Sequence, residues 1–131
     1  MTAPPLYIAS HKGHVEVVRV LAERGADMNK ADDDGETPLY IASQQGHVDV
    51  VRVLAERGAD INKARDDGAT PLWIASQNGH VDVVRILLER GADINKGRLG
   101  FTPLMMAQHY NHHEVVHLLK RALLKRQSST K

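Results

Sequence analysis

The sequence predicts an all-α repeat solenoid, on three observations. The segment Thr37-Pro38-Leu39-Tyr40-Ile41-Ala42 returns 33 residues later as Thr70-Pro71-Leu72-Trp73-Ile74-Ala75. Variants of it stand earlier at Pro4-Pro5-Leu6-Tyr7-Ile8-Ala9 and later at Thr102-Pro103-Leu104-Met105-Met106-Ala107. A second run keeps the same step: Gly13-His14-Val15-Glu16-Val17-Val18, Gly46-His47-Val48-Asp49-Val50-Val51 and Gly79-His80-Val81-Asp82-Val83-Val84. A third consists of Gly25-Ala26-Asp27, Gly58-Ala59-Asp60 and Gly91-Ala92-Asp93, each with an asparagine two residues on (Asn29, Asn62, Asn95). Self-similarity at such a period marks a stack of supersecondary units. The units run approximately over 1–31, 32–64, 65–97 and 98–126, as one domain spanning 1–131, with 127–131 expected to fray.

Within a unit the elements follow in order. Thr37 is a good N-cap, and Pro38 sits at the first helical position, where its missing N–H costs nothing. Gly46 can take the left-handed conformation that closes a helix. A second helix then sets Val50, Val51 and Leu54 on one stripe and leaves Arg52, Glu56 and Arg57 off it. Gly58 stops this helix, and Lys63-Ala64-Arg65-Asp66-Asp67-Gly68 reads as a polar turn. Neither short helix can bury its stripe alone, so neighbouring units must stack into a continuous core.

Composition narrows the function. Against 17 Lys+Arg stand 16 Asp+Glu, a net +1 that lacks the basic excess of a nucleic-acid or membrane-surface binder. With no cysteine, disulfides, thiol catalysis and thiolate metal sites are excluded. No apolar run approaches the ~20 residues needed to span a bilayer, and Met1-Thr2-Ala3-Pro4-Pro5 does not read as a secretory signal. An intracellular protein is expected.

The T-P-L-x-x-A, G-H-V-D-V-V and G-A-D-I-N runs and their spacing resemble the ankyrin repeat family over essentially the full chain. The resemblance implies a curved stack of helix pairs with β-hairpin fingers projecting at about right angles. It also implies a structural role for the in-register His14, His47, His80 and His112. Partner contacts in that family come from the fingers and the ends of the first helices. Matched onto this chain, they fall at Asp33, Asp34, Glu36, Gln44, Gln45, Asp66, Asp67, Ala69, Gln77 and Asn78.

Several positions depart from the pattern. The first unit lacks a preceding finger and has Pro4 where the others have threonine. Asn111 replaces a glycine, and the last finger, Gly97-Arg98-Leu99-Gly100-Phe101, is one residue short. Lys120 aligns with Ala55 and Leu88, positions that should face a following unit, which fits a C-terminal cap. Units 32–64 and 65–97 differ at only seven of 33 positions. Solvent-facing positions tolerate change, so this near-identity suggests recent duplication, a consensus-derived engineered sequence, or a piece of a longer array.

Among candidate site residues, Tyr7, Tyr40, Trp73 and Met105 share one register position, and His11, Gln44, Gln77 and His109 follow one helical turn on. The i to i+4 spacing sets both rows on one side of the first helices. Tyr40 and Trp73 are therefore either interface anchors or packing between helices. Leu99 and Phe101 either pack onto the third unit or offer an apolar anchor. The acidic turns read as solvated turn formers or a partner-facing strip. They lack the pocket a catalytic carboxylate pair needs and the ligand spacing of an EF-hand. His113 and His117, four apart on one helix, could hold a transition metal, but no cysteine or placed carboxylate completes a shell. Lys120, Arg121, Lys125, Arg126 and Lys131 read as helix-terminal cations; nucleic-acid contact would call for stacking aromatics beside them. No nucleophile–base constellation, phosphate loop or H-E-x-x-H appears.

The expectation is a non-enzymatic protein-binding module without cofactor, binding neither nucleic acid nor membrane. The alternative is a structural or engineered scaffold, or an array fragment, with no ligand of its own. A monomer is expected, with weak self-stacking through an uncovered N-terminal face around Leu6, Val15 and Val18.

Overall fold

A computed structural model describes residues 3–129, among which eight helices form four pairs. These are α1 (Pro5–Lys12) with α2 (Val15–Glu23), α3 (Pro38–Gln45) with α4 (Val48–Glu56), α5 (Pro71–Asn78) with α6 (Val81–Glu89), and α7 (Pro103–His109) with α8 (His113–Ser129). The first helices pack in one layer, α1 on α3 on α5 on α7, and the second helices in another.

The local signals act as read. The Thr37 and Thr70 hydroxyl oxygens each accept from the backbone N–H three residues on, at 3.1 Å, which satisfies one orphan donor of the helix start. Pro4 offers no such bond to α1. Gly46 ends α3 at φ 76°. It is also pinned by its neighbour, since a Cβ there would lie 2.6 Å from the His80 ring. The histidine rings tie each unit to the one before it. His47, His80 and His112 each donate from Nε2–H to a carbonyl of the preceding unit, on His11, Gln44 and Gln77, at 2.8–2.9 Å. Asn111, at φ 62°, stands in the last unit, where no following histidine presses on it.

The Gly-Ala-Asp-x-Asn run is a second inter-unit ladder. Asn29 Oδ1 accepts from the Asp60 N–H and Asn62 Oδ1 from the Asp93 N–H, both at 2.8 Å. Between the two ladders lies the core. Val50, Val51 and Leu54 are 1% exposed or less, and burial of each such side chain stabilises by roughly 1.5–3 kcal/mol. Arg52, Glu56 and Arg57 face water.

Three details differ from the sequence reading. The fingers are turns: Asp32 N–H closes on the Glu36 carbonyl and Arg65 N–H on the Ala69 carbonyl, at 3.0 and 2.8 Å. The isolated bridge Arg98–Phe101 is the extent of β pairing among the described residues. At the N-terminal end Leu6 and Val18 are buried, at 3% and 0%, and Val15 is half-buried. The open face is instead Ile8, Val17 and Val20, 40–49% exposed, whose equivalents Ile41, Val50 and Val53 are covered in the second unit. At the other end α8 runs through Ser129, past the point where fraying was expected; Thr130 and Lys131 lie outside the described residues. Leu123 stands in the register of Gly91, so nothing stops the helix there. Arg126, on the added turns, donates to the Ala92 and Leu88 carbonyls at 2.6 and 3.3 Å and caps the C-terminal end of α6. Lys120 is exposed, as its alignment implied.

Candidate partner-binding surface

The aromatic row turns out to belong to the packing. Tyr40 is 0% and Trp73 3% exposed, so neither can anchor a partner in this arrangement, and Ala69 is likewise buried. Each aromatic reaches under the finger of the next unit. Tyr7 donates its hydroxyl to Glu36 Oε1 at 2.8 Å. The Arg65 guanidinium lies 5.1 Å from the centre of the Tyr40 ring, a cation–π contact. Trp73 Nε1–H donates to the Phe101 carbonyl at 2.9 Å. Burial raises the Tyr7 pKa, with Glu36 adding to it, and burial likewise raises that of Tyr40, opposed by Arg65. The Tyr40 hydroxyl has no partner, because Ala69 occupies the register position at which Glu36 serves Tyr7.

An ionic chain runs along the finger bases. Arg65 Nη1 meets Glu36 at 3.1 Å, Arg65 Nη2 meets Asp67 at 2.7 Å, and Arg98 Nε meets Asp67 at 3.2 Å. The bonds from Arg65, above all, hold the Asp67 carboxyl below its ordinary pKa, and the Ala69 N–H assists. Glu36 and Asp67 are thereby committed within the array. Asp33, Asp34 and Asp66 are exposed, and among the described interactions no ion pair holds their carboxylates. The backbone joins their fingers, the Asp66 N–H donating to the Asp34 carbonyl at 2.9 Å.

On the first helices Gln45 and Asn78 are exposed, and Gln44 and Gln77 half-buried. The Gln44 carbonyl accepts from both His80 and Asn78, so the backbone here is fixed. Leu99 and Phe101, left open by the sequence, lie at the surface, 80% and 53% exposed. With Met105 (47%) and Tyr110 (49%) they line a groove of about 740 Å³, closed below by Trp73 and flanked by His109. Met105 belongs to the candidate aromatic row, whereas Tyr110 was not among the predicted contacts. Met105 is the fourth member of the aromatic row, with no finger above it among the described residues, and Tyr110 stands where the second and third units carry Gln45 and Asn78.

Among the described residues no three His, Cys, Asp or Glu side chains group to hold a metal ion, and no helix is long and apolar enough to cross a membrane. His109 meets Tyr110 edge-on at 4.8 Å.

Stacked helix pairs joined by turn fingers and tied by histidine and asparagine ladders define a helical repeat protein. A family model described as ankyrin repeats, three copies long, matches residues 2–65 and again 62–127. The chain belongs to the ankyrin repeat family, whose members are generally protein–protein interaction modules. No individual curated protein matches it significantly.

Proposed function

We propose that this chain is a protein-binding module without catalytic activity, engaging its partner through the finger tips and the exposed ends of the first helices. The observation that carries this reading is the split among the finger carboxylates. Glu36 and Asp67 are tied into the array, whereas Asp33, Asp34 and Asp66 project unpaired from a backbone that hydrogen bonds hold in place. A rigid scaffold with free polar groups and exposed apolar side chains is what interface anchoring requires. The near-identity of units 32–64 and 65–97 favours a second reading, a structural scaffold without its own ligand.

Affinity capture from lysate separates the two readings, comparing the chain with a variant carrying Asp33→Lys, Asp34→Lys and Asp66→Lys. Asp67 stays, because it holds Arg65 and Arg98. A protein retained by the original and lost by the variant, with circular dichroism unchanged, supports the module. Enrichment of nothing above background by either chain hands the case to the scaffold.

A further inference from the structure

The C-terminal end of the array is covered on one side only. In the second-helix layer, α8 is long, Arg126 caps α6, and Lys120 stands where Ala55 is 6% exposed and Leu88 half-buried. A helix pair stacked on that side would partly desolvate the ammonium group. In the finger and first-helix layer the end is open and apolar, through Leu99, Phe101, Met105 and Tyr110. Leu99 is the sharpest part of this contrast. It sits at φ 52°, in the left-handed region that disfavours leucine, and at 80% exposure it hides little from water. Packing does not explain a leucine there, whereas an apolar contact from outside does.

What lies beside this corner selects the occupant. The neighbouring finger presents Asp66, whose carboxylate lies over Gly35, and the one before it presents Asp33 and Asp34. Arg98, the cation nearest the groove, is engaged by Asp67. The surface therefore passes from apolar at the fourth unit to free carboxylates at the third and second. We infer that this corner seats a large apolar side chain of an extended protein segment whose basic residues run back along the fingers onto Asp66 and Asp33, which hold the same register position one repeat apart. The inference rests on the partner-binding reading and names its chemistry. Packed helices stand about 8–10 Å apart and an extended chain advances about 3.3 Å per residue. The basic residues then fall about three and six positions from the apolar one.

The probe is a synthetic seven-residue peptide with tryptophan first and lysine fourth and seventh, glycine and serine between, together with the same peptide in reverse order. Two controls replace the lysines by glutamate and the tryptophan by glycine. Binding is followed by amide chemical shifts of the labelled chain. The expected result is saturable shifts at Phe101, Met105, Tyr110 and Asp66 with one orientation of the probe. Either control should weaken them more than tenfold. So should Met105→Gln with Tyr110→Asn, a pair of exposed changes that leaves the core alone, or Asp66→Lys. Shifts confined to Gln44, Asn78 and the early fingers overturn the corner and leave partner binding intact. Equal shifts with the glutamate control overturn the basic requirement. Corner shifts that grow with protein concentration in the absence of peptide assign the corner to a second copy of the chain. No shift with either orientation at millimolar peptide overturns the inference, and the partner-binding reading then stands or falls on the capture experiment alone.

Discussion

Gly97→Ala should be among the costliest single-methyl changes in the chain, although Ala31 and Ala64 hold the same register position in the first two units. The reason is local to the third unit. A Cβ on residue 97 would fall inside the van der Waals contact distance of the Phe101 carbonyl oxygen and 2.9 Å from Trp73 Cδ1. That oxygen is the acceptor for the Trp73 indole N–H, so moving it strands a donor on a residue only 3% exposed. Overpacking costs about 1–3 kcal/mol and an unpaired buried donor another ~1–3 kcal/mol. The stiffer unfolded chain of the alanine variant returns about 0.4–1 kcal/mol. The net is a loss of about 3 kcal/mol, on the order of 10 °C in Tm. Urea unfolding followed by circular dichroism gives the energy. Because Trp73 is the only tryptophan, its emission reports the same site directly and should shift to the red. In a Trp73→Tyr background the alanine should cost at least 1 kcal/mol less, the signature of coupled neighbours. A Gly97→Ala loss below about 0.5 kcal/mol, within the range of ordinary surface changes, with unchanged emission would refute the account.

Three further outcomes follow from the same geometry. Tyr7→Phe should lose about 1 kcal/mol with its bond to Glu36, whereas Tyr40→Phe, which removes a buried hydroxyl without a partner, should be neutral or stabilising; urea midpoints compare the two. Asp67 is held below its ordinary pKa of about 3.9, so its contribution is complete above that value and fades as pH falls through the lower folded-state value. Asp67→Asn should therefore cost up to about 1 kcal/mol at neutral pH, a gap that closes below pH ~4, checked by urea melts across that range; a gap that persists undiminished in acid would contradict the pairing. Val50→Ala should cost about 2 kcal/mol, whereas Val17→Ala, at the same register position but 49% exposed, should cost under about 0.5 kcal/mol. Equal losses would mean that the N-terminal face is covered in solution, and light scattering would then show self-association.

How much of this molecule can be read from its sequence depends on whether a residue's role lies inside its own unit or between units. Helix starts and stops rest on Thr37, Pro38 and Gly46 and on their immediate neighbours, so periodicity and capping rules reach them. Tyr40 and Trp73 are different. Their i to i+4 relation to Gln44 and Gln77 is right along the helix, yet what lies over each ring is the next finger, a contact across about thirty residues of chain that helical spacing does not report. The open N-terminal face was misplaced for the same reason, since the side of α2 that carries Val18 faces its neighbours and the side that carries Val17 and Val20 lies open. The repeat itself supplies the missing information once positions are compared by register. Trp73 replaces Tyr40, Gly97 replaces Ala64, and the finger that follows Gly97 is one residue shorter. Those three departures are one event: the larger indole takes a backbone carbonyl from the shortened finger, and glycine clears the space between them. The same finger carries Leu99 at positive φ and 80% exposed, and Phe101 53% exposed. The finger whose carbonyl completes the packing of Trp73 therefore also supplies two of the four apolar side chains of the corner. The candidate site thus adjoins the place where the repeat departs from its own pattern, and it is sought there.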